Sequence, residues 1–116
     1  MNYIIERKEN LVIFQINDKK IEGTISANYK AEFLIFCQPE LNAFIIDLHA
    51  VESMDSAGFG ALLLAYRQLK DHGIPVILTR VNEYIKSLMD MTQINSLFEF
   101  DDSIKEAIDG LDLEEN

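Results

Sequence analysis

The sequence predicts an α/β fold: a mixed, mainly parallel sheet opened by an antiparallel hairpin, with about four helices. Three observations point there. Short apolar runs alternate with stretches of helical spacing through the second half, and that order needs crossover connections between parallel strands. AFIIDL, residues 43–48, is apolar almost without a break, the mark of a strand buried on both faces. The opening YIIERKENLVIFQIN holds two β-rich runs interrupted at Lys8–Asn10, which reads as a hairpin.

Taken in order, the hairpin's first run, YIIERK, is charged enough to sit near a sheet edge. In its second run, Leu11, Ile13 and Gln15 alternate with Val12, Phe14 and Ile16, too apolar a set for an exposed face. Residues 24–37 place Ile25, Tyr29, Phe33 and Phe36 at helical spacing, with Thr24 as the expected cap and Pro39 safely beyond the end. AFIIDL then forms the central strand. SMDSAGFGALLLAYRQLKDHG, residues 53–73, is a loop followed by a helix that starts within a residue or two of Ser56 and reaches about His72, where Gly73 stops it. Pro75 opens the strand PVILTR, Asn82 caps the helix EYIKSLMDM, LFEF is a short strand, and Asp101 or Asp102 caps the last helix, SIKEAIDGL. Lacking repeats and linkers, residues 1–110 read as one domain and residues 111–116 as an acidic, solvated tail.

Composition narrows the function. A chain of 116 residues, 48% hydrophobic and 26% charged, buries one core and does not read as disordered. A net charge of -10 argues against nucleic acid and against anionic membrane surfaces, both of which ask for clustered basic residues, and favours a protein partner. The lone cysteine, Cys37, excludes an internal disulfide and reads as a buried thiol within FLIFC. MNYIIERKEN brings charges too early for a signal peptide, and no apolar run is long enough for a transmembrane helix, so the cytoplasm is the expected location.

Ser56 is the residue that asks for an explanation, set between an acid and small residues where an apolar strand gives way to a helix. On its residues alone the position has two readings. Either Asp55 or Ser56 caps the helix and Gly58 and Gly60 ease packing, or the unpaired N–H groups at the helix start form a functional place beyond the carboxyl ends of the strands. A catalytic serine is disfavoured: the nucleophile elbow Gly-x-Ser-x-Gly fails at Met54, and neither His49 nor His72 is well set as a base. Metal-ligand spacing, GxxxxGK[ST] and GxGxxG are all missing, so no enzyme activity, metal or cofactor is expected. Asp47 is expected to close its strand by bonding loop N–H groups, since Asn17 and Asp18 are a poor substitute for the acidic pair of a phospho-acceptor site. The helix after Ser56 is apolar nearly all round at its start. Its surplus, Leu64 with Ala57 or Ala61, is either covered by neighbouring helices or exposed as a patch beside Ser56.

At residues 47–73, DLHAVESMDSAGFGALLLAYRQLKDHG, the chain resembles the STAS domain of bacterial anti-sigma factor antagonists. The matching features are the pair Asp47-Leu48, the turn from Met54 to Gly60 and the apolar helix closing at Gly73, and the element order fits over nearly the whole chain. The resemblance implies a binding module that sequesters an anti-sigma factor, often a serine kinase of the histidine-kinase-like ATPase fold, and so releases a sigma factor. It implies phosphorylation of the serine after the motif aspartate, here Ser56, reversed by a PP2C-type phosphatase. Ala57 stands where the family often has Ser or Thr, which leaves one acceptor in this loop. The expected partner surface comprises Glu22, Met54, Asp55, Ser56, Ala57, Gly58, Ala61 and Leu64: Ala61 and Leu64 come from the apolar surplus of the helix, the turn residues from the resemblance, and Glu22 of Lys19-Lys20-Ile21-Glu22 stands in for the family's usual aspartate. The other expectation is a STAS-type structural or transport-associated subunit that does not use Ser56 as acceptor.

Overall fold

The computed structural model describes residues 1–111. Strands β1 (Tyr3–Lys8) and β2 (Leu11–Ile16) form the expected hairpin, in register from Tyr3 opposite Ile16 to Lys8 opposite Leu11. Glu9 makes its tight turn with a left-handed φ of 54°. After β2 come β3 (Lys20–Ile21), α1 (Thr24–Phe36), β4 (Ala43–Asp47), β5 (Ser53–Met54) and α2 (Ser56–Leu69). Then follow β6 (Val76–Thr79), α3 (Glu83–Met91), β7 (Glu99–Asp101) and α4 (Ile104–Asp109).

The main sheet has five strands in the order β1-β2-β4-β6-β7, antiparallel at the hairpin and parallel elsewhere. AFIIDL is central, with every residue of β4 buried, and the charged β1 is an edge, as expected. Helices α1, α2 and α3 cover one face, where Phe14, Tyr29, Phe33 and Phe44 interlock with Leu62 and Leu69. Each such side chain, fully buried, contributes about 1.5–3 kcal/mol. Helix α4 covers the other face, and Ala107, Ile104 and Ile108 pack on Leu11, Ile13, Ile45 and Ile77. Cys37 is buried among the first set, and desolvation pushes its thiol up to about 12, which makes it inert.

Several boundaries differ from expectation for identifiable reasons. Thr24 is the first helical residue of α1 and not its cap. The cap position is Gly23, whose φ of 62° suits glycine and whose N–H is taken by a side chain from elsewhere. The last strand, Glu99–Asp101, starts two residues later than LFEF and ends one later, because Leu97 belongs to a 3₁₀ turn, Asn95–Leu97. Asp101 is therefore a strand residue paired with Thr79, and Ser103, not Asp101 or Asp102, caps α4 by accepting from the Glu106 N–H at 3.0 Å. Helix α2 ends at Leu69 and tightens into a 3₁₀ turn, Lys70–His72, before Gly73 takes a left-handed φ of 69°. Strands β3 and β5 pair in parallel as a separate two-stranded sheet that the sequence does not announce. The tail expected from residue 111 lies, beyond Leu111, outside the described residues.

Candidate functional site

The site is built where β3, β5 and the starts of α1 and α2 converge. Pairing of Lys20 with Ser53 and of Ile21 with Met54 brings the two segments together, and the Asp55 N–H donates to the Ile21 carbonyl at 3.0 Å. This closeness requires glycine at 58. A Cβ there would lie 2.9 Å from Met54 Cβ and 3.1 Å from the Ile21 oxygen. Gly60 is different: a Cβ there would meet nothing within 4 Å, so of the two glycines expected to ease packing only Gly58 does.

Asp55 is the cap of α2. Its Oδ1 accepts from the Gly58 N–H and the Ser26 hydroxyl, both at 2.8 Å, and its Oδ2 accepts from the Gly23 N–H at 2.9 Å. Those bonds, from Gly23 first, then Ser26 and Gly58, hold the carboxyl below the usual carboxylate range. Of the two candidate caps, then, Asp55 performs the role, and the exposed Ser56 begins the helix with its hydroxyl spared from capping.

Of the expected partner surface, Asp55 is the half-buried cap just described, and the other seven residues divide into two sets. Glu22, Ser56 and Ala57 are exposed, and Leu64 is half-buried. Met54 and Gly58 are buried, and Ala61 is only 2% exposed, so these three support the surface from beneath and Ala61 forms no patch with Leu64. What lies beside Ser56 instead is an apolar groove of about 380 Å³ between α2 and α3. Met54, Phe59 and Leu63 form one side, Leu88 and Ile94 the other, with Ser56 and Thr92 also lining it. Outside the lining of the groove, α3 exposes Tyr84 and Met91, the latter 77% exposed. The sequence reading missed Phe59, Leu63, Leu88 and Ile94. Phe59 and Leu63 do stand at i, i+4 on the helix after Ser56, but nothing local says that α3 packs beside them.

A second cluster sits at the carboxyl end of the sheet on the α4 side, since Asp47 follows Ile45 in the alternation of β4. Asp47 is fully buried and does not bond loop N–H groups as expected. Its carboxylate accepts from side chains: the Thr79 hydroxyl at 2.7 Å, Arg80 Nε and Nη2 at 3.0 Å each, and the His49 Nδ1–H at 2.7 Å. Burial pushes this carboxyl up, but the bonds from Arg80, Thr79 and His49 outweigh it and hold it below its ordinary value. Arg80 reaches it from a left-handed backbone with φ of 55°, a conformation that a non-glycine residue adopts only when its surroundings compensate. His72 is exposed on the turn after α2, away from this cluster's residues in the chain. Among the described residues, no group of three or more His, Cys, Asp or Glu side chains is set to hold a metal, and no helix is long and apolar enough to cross a membrane.

A mixed sheet with three helices on one face, a short helix on the other and a capped Asp-Ser turn leading into an apolar helix defines a small α/β domain of one family. The family model described as the STAS domain matches residues 2–107, and the chain belongs to that family. Its fold is shared by an anti-sigma-factor antagonist (STAS) domain protein from Planctomyces limnophilus, with a TM-score of 0.84, 17% identity and coverage of 94% of this chain and 97% of that one. The anti-sigma factor antagonist SpoIIAA in its unphosphorylated form matches with a TM-score of 0.75, 19% identity and coverage of 93% and 96%. SpoIIAA of Bacillus in the phosphorylated form gives 0.73, 17% identity and coverage of 93% and 97%. The same domain shape occurs within the murine Solute Carrier 26 family member A9 anion transporter, with a TM-score of 0.72 and 13% identity over 89% of this chain but 18% of the transporter.

Proposed function

We propose that this protein is an anti-sigma factor antagonist, a non-enzymatic binding module switched by phosphorylation of Ser56. The observation that carries the reading is an exposed hydroxyl at the lip of an apolar groove, on a helix whose cap is another residue. A phosphate there adds about -1.5 to -2 charges at neutral pH. The helix start tolerates that charge through its dipole and free N–H groups, so the domain stays folded. A partner filling the groove does not tolerate it, because the phosphate must be desolvated against Phe59 and Leu88. A binding loss of ~3 kcal/mol weakens affinity roughly a hundredfold. The partner in this reading is an anti-sigma factor that is a serine kinase of the histidine-kinase-like ATPase fold, with a PP2C-type phosphatase resetting Ser56 in the cytoplasm. Sequestering the anti-sigma factor releases a sigma factor, and no cofactor takes part. The relatives described as anti-sigma factor antagonists, one of them solved with and without phosphate, support it.

The test is mass spectrometry of the protein from its own cells for a phosphate on Ser56, with affinity capture by Ser56→Ala and Ser56→Asp. Ser56→Ala retains an anti-sigma factor and Ser56→Asp releases it. Equal capture by both, with Ser56 unmodified, defeats the proposal. That result favours the second reading, a structural or transport-associated STAS subunit, which the likeness to part of an anion transporter supports.

A further inference from the structure

The turn from β6 to α3 is tied twice to the segment that runs from β4 to Ser56. Asn82 Oδ1 accepts from the Ile85 N–H at 2.8 Å and caps α3, while its Nδ2 donates to the carbonyls of Val51 at 3.1 Å and Glu52 at 3.2 Å. Two residues earlier, Arg80 holds Asp47 through two 3.0 Å bonds, and the Leu48 N–H donates to the Thr79 carbonyl at 2.9 Å. The gripped segment is itself anchored, since Val51 is buried and the Glu52 N–H donates to the Lys19 carbonyl at 2.7 Å. It leads directly into Met54 and Ser56 on one side of the groove. Helix α3, begun by the same Asn82, supplies Leu88 to the other. One side chain therefore touches the supports of both walls.

Capping does not require an amide nitrogen, because Asp and Ser cap as well as Asn with oxygen alone. The Nδ2 group is surplus to the cap and is spent on the loop. We infer that Asn82 is a positioning residue that sets the spacing between α3 and the Ser56 loop, and with it the shape that the groove presents to a docked protein. The spacing role stands on geometry alone, whereas its consequence for binding rests on the docking reading above.

Asn82→Asp separates the two halves of the side chain's work. It keeps the oxygen that caps α3 and replaces the donor with a carboxylate oxygen facing two carbonyls. In the isolated protein, amide exchange at Glu52, Ser53 and Asp55 is expected to rise about tenfold or more, the scale of a lost hydrogen bond. The methyl resonances of Met54 and Leu88 shift together, while the Ile85 amide and the central strands keep their protection. Unchanged exchange in residues 52–55, or movement of Leu88 with Met54 unmoved, overturns the inference. Asn82→Ala, which loses the cap as well, is expected to add loss of protection at Ile85. In a second arm, wild type and Asn82→Asp are titrated with the anti-sigma factor captured by Ser56→Ala at a temperature where both stay folded, and the variant binds about tenfold more weakly. Equal affinities overturn the positioning role in binding. If Ser56→Ala captures nothing while the exchange and methyl changes appear, the docking reading falls and the spacing role stands.

Discussion

Asp55 begins α2 and Asn82 begins α3, each with a side-chain oxygen 2.8 Å from the N–H three residues ahead. From that common start the two diverge. A carboxylate can only accept, and Asp55 gathers two further donors, the Gly23 N–H and the Ser26 hydroxyl, which tie α2 to the start of α1. An amide both accepts and donates, and Asn82 ties α3 to the carbonyls of Val51 and Glu52. Two equally good caps are thus not interchangeable, because the second half of each side chain answers to a different neighbour. Between the two tethers lies Ser56, accessible at the groove.

The largest expected break is on the α3 side. Asp47→Ala leaves Arg80 and Thr79 without their acceptor and releases the turn before Asn82. Removing one partner of a buried pair costs about 3–5 kcal/mol, and because Arg80 is 44% exposed and screened by solvent we expect about 2–3, read from urea unfolding. On the α2 side, Gly58→Ala drives a Cβ against Met54 and the Ile21 carbonyl and costs about 1–3 kcal/mol by the same measurement.

Acid sharpens the comparison, since only one of the two caps titrates. The Asp55 and Asp47 carboxyls both lie below their unfolded value of about 3.9. The stability they contribute is present above that value and is lost as pH falls through the depressed folded values. Asp55→Asn removes one of these groups, so its acid-unfolding curve is shallower than that of wild type, while its stability at neutral pH is lower because the Gly23 N–H loses a charged acceptor. Identical curves would show that the Asp55 bonds do not distinguish folded from unfolded chain.

Smaller effects follow from what these tethers leave free. Gly60→Ala stabilises by about 0.5–1 kcal/mol, because a methyl there meets open space and helical glycine is entropically costly. Ser56→Ala changes stability by less than about 0.5 kcal/mol, since Asp55 holds the cap. A larger loss in thermal melts would return Ser56 to a structural role.

Much of this was legible in the residues themselves. Period and punctuation identified the hairpin, the doubly buried AFIIDL and the helix starts at Ser56 and after Asn82, because those signals lie within a few positions of what they determine. Where the local signal pointed to the wrong cap, to Thr24 instead of Gly23 and to Asp101 or Asp102 instead of Ser103, the neighbouring element decided. Gly23 is held by Asp55, and Asp101 is drawn into the sheet beside Thr79.

By itself, then, the sequence determined the α/β class, the central strand and the helix start at the Asp-Ser turn, since alternation, helical spacing and caps are short-range properties of the chain. Only the tertiary structure decided that the buried Ser26 completes Asp55 from 29 residues away, that Asp47 bonds side chains and not its own loop, and that Leu88 faces Phe59 across a groove. Each of these depends on partners distant in sequence, and a hydrogen bond or an apolar contact acts over a few ångströms of space whatever the separation along the chain.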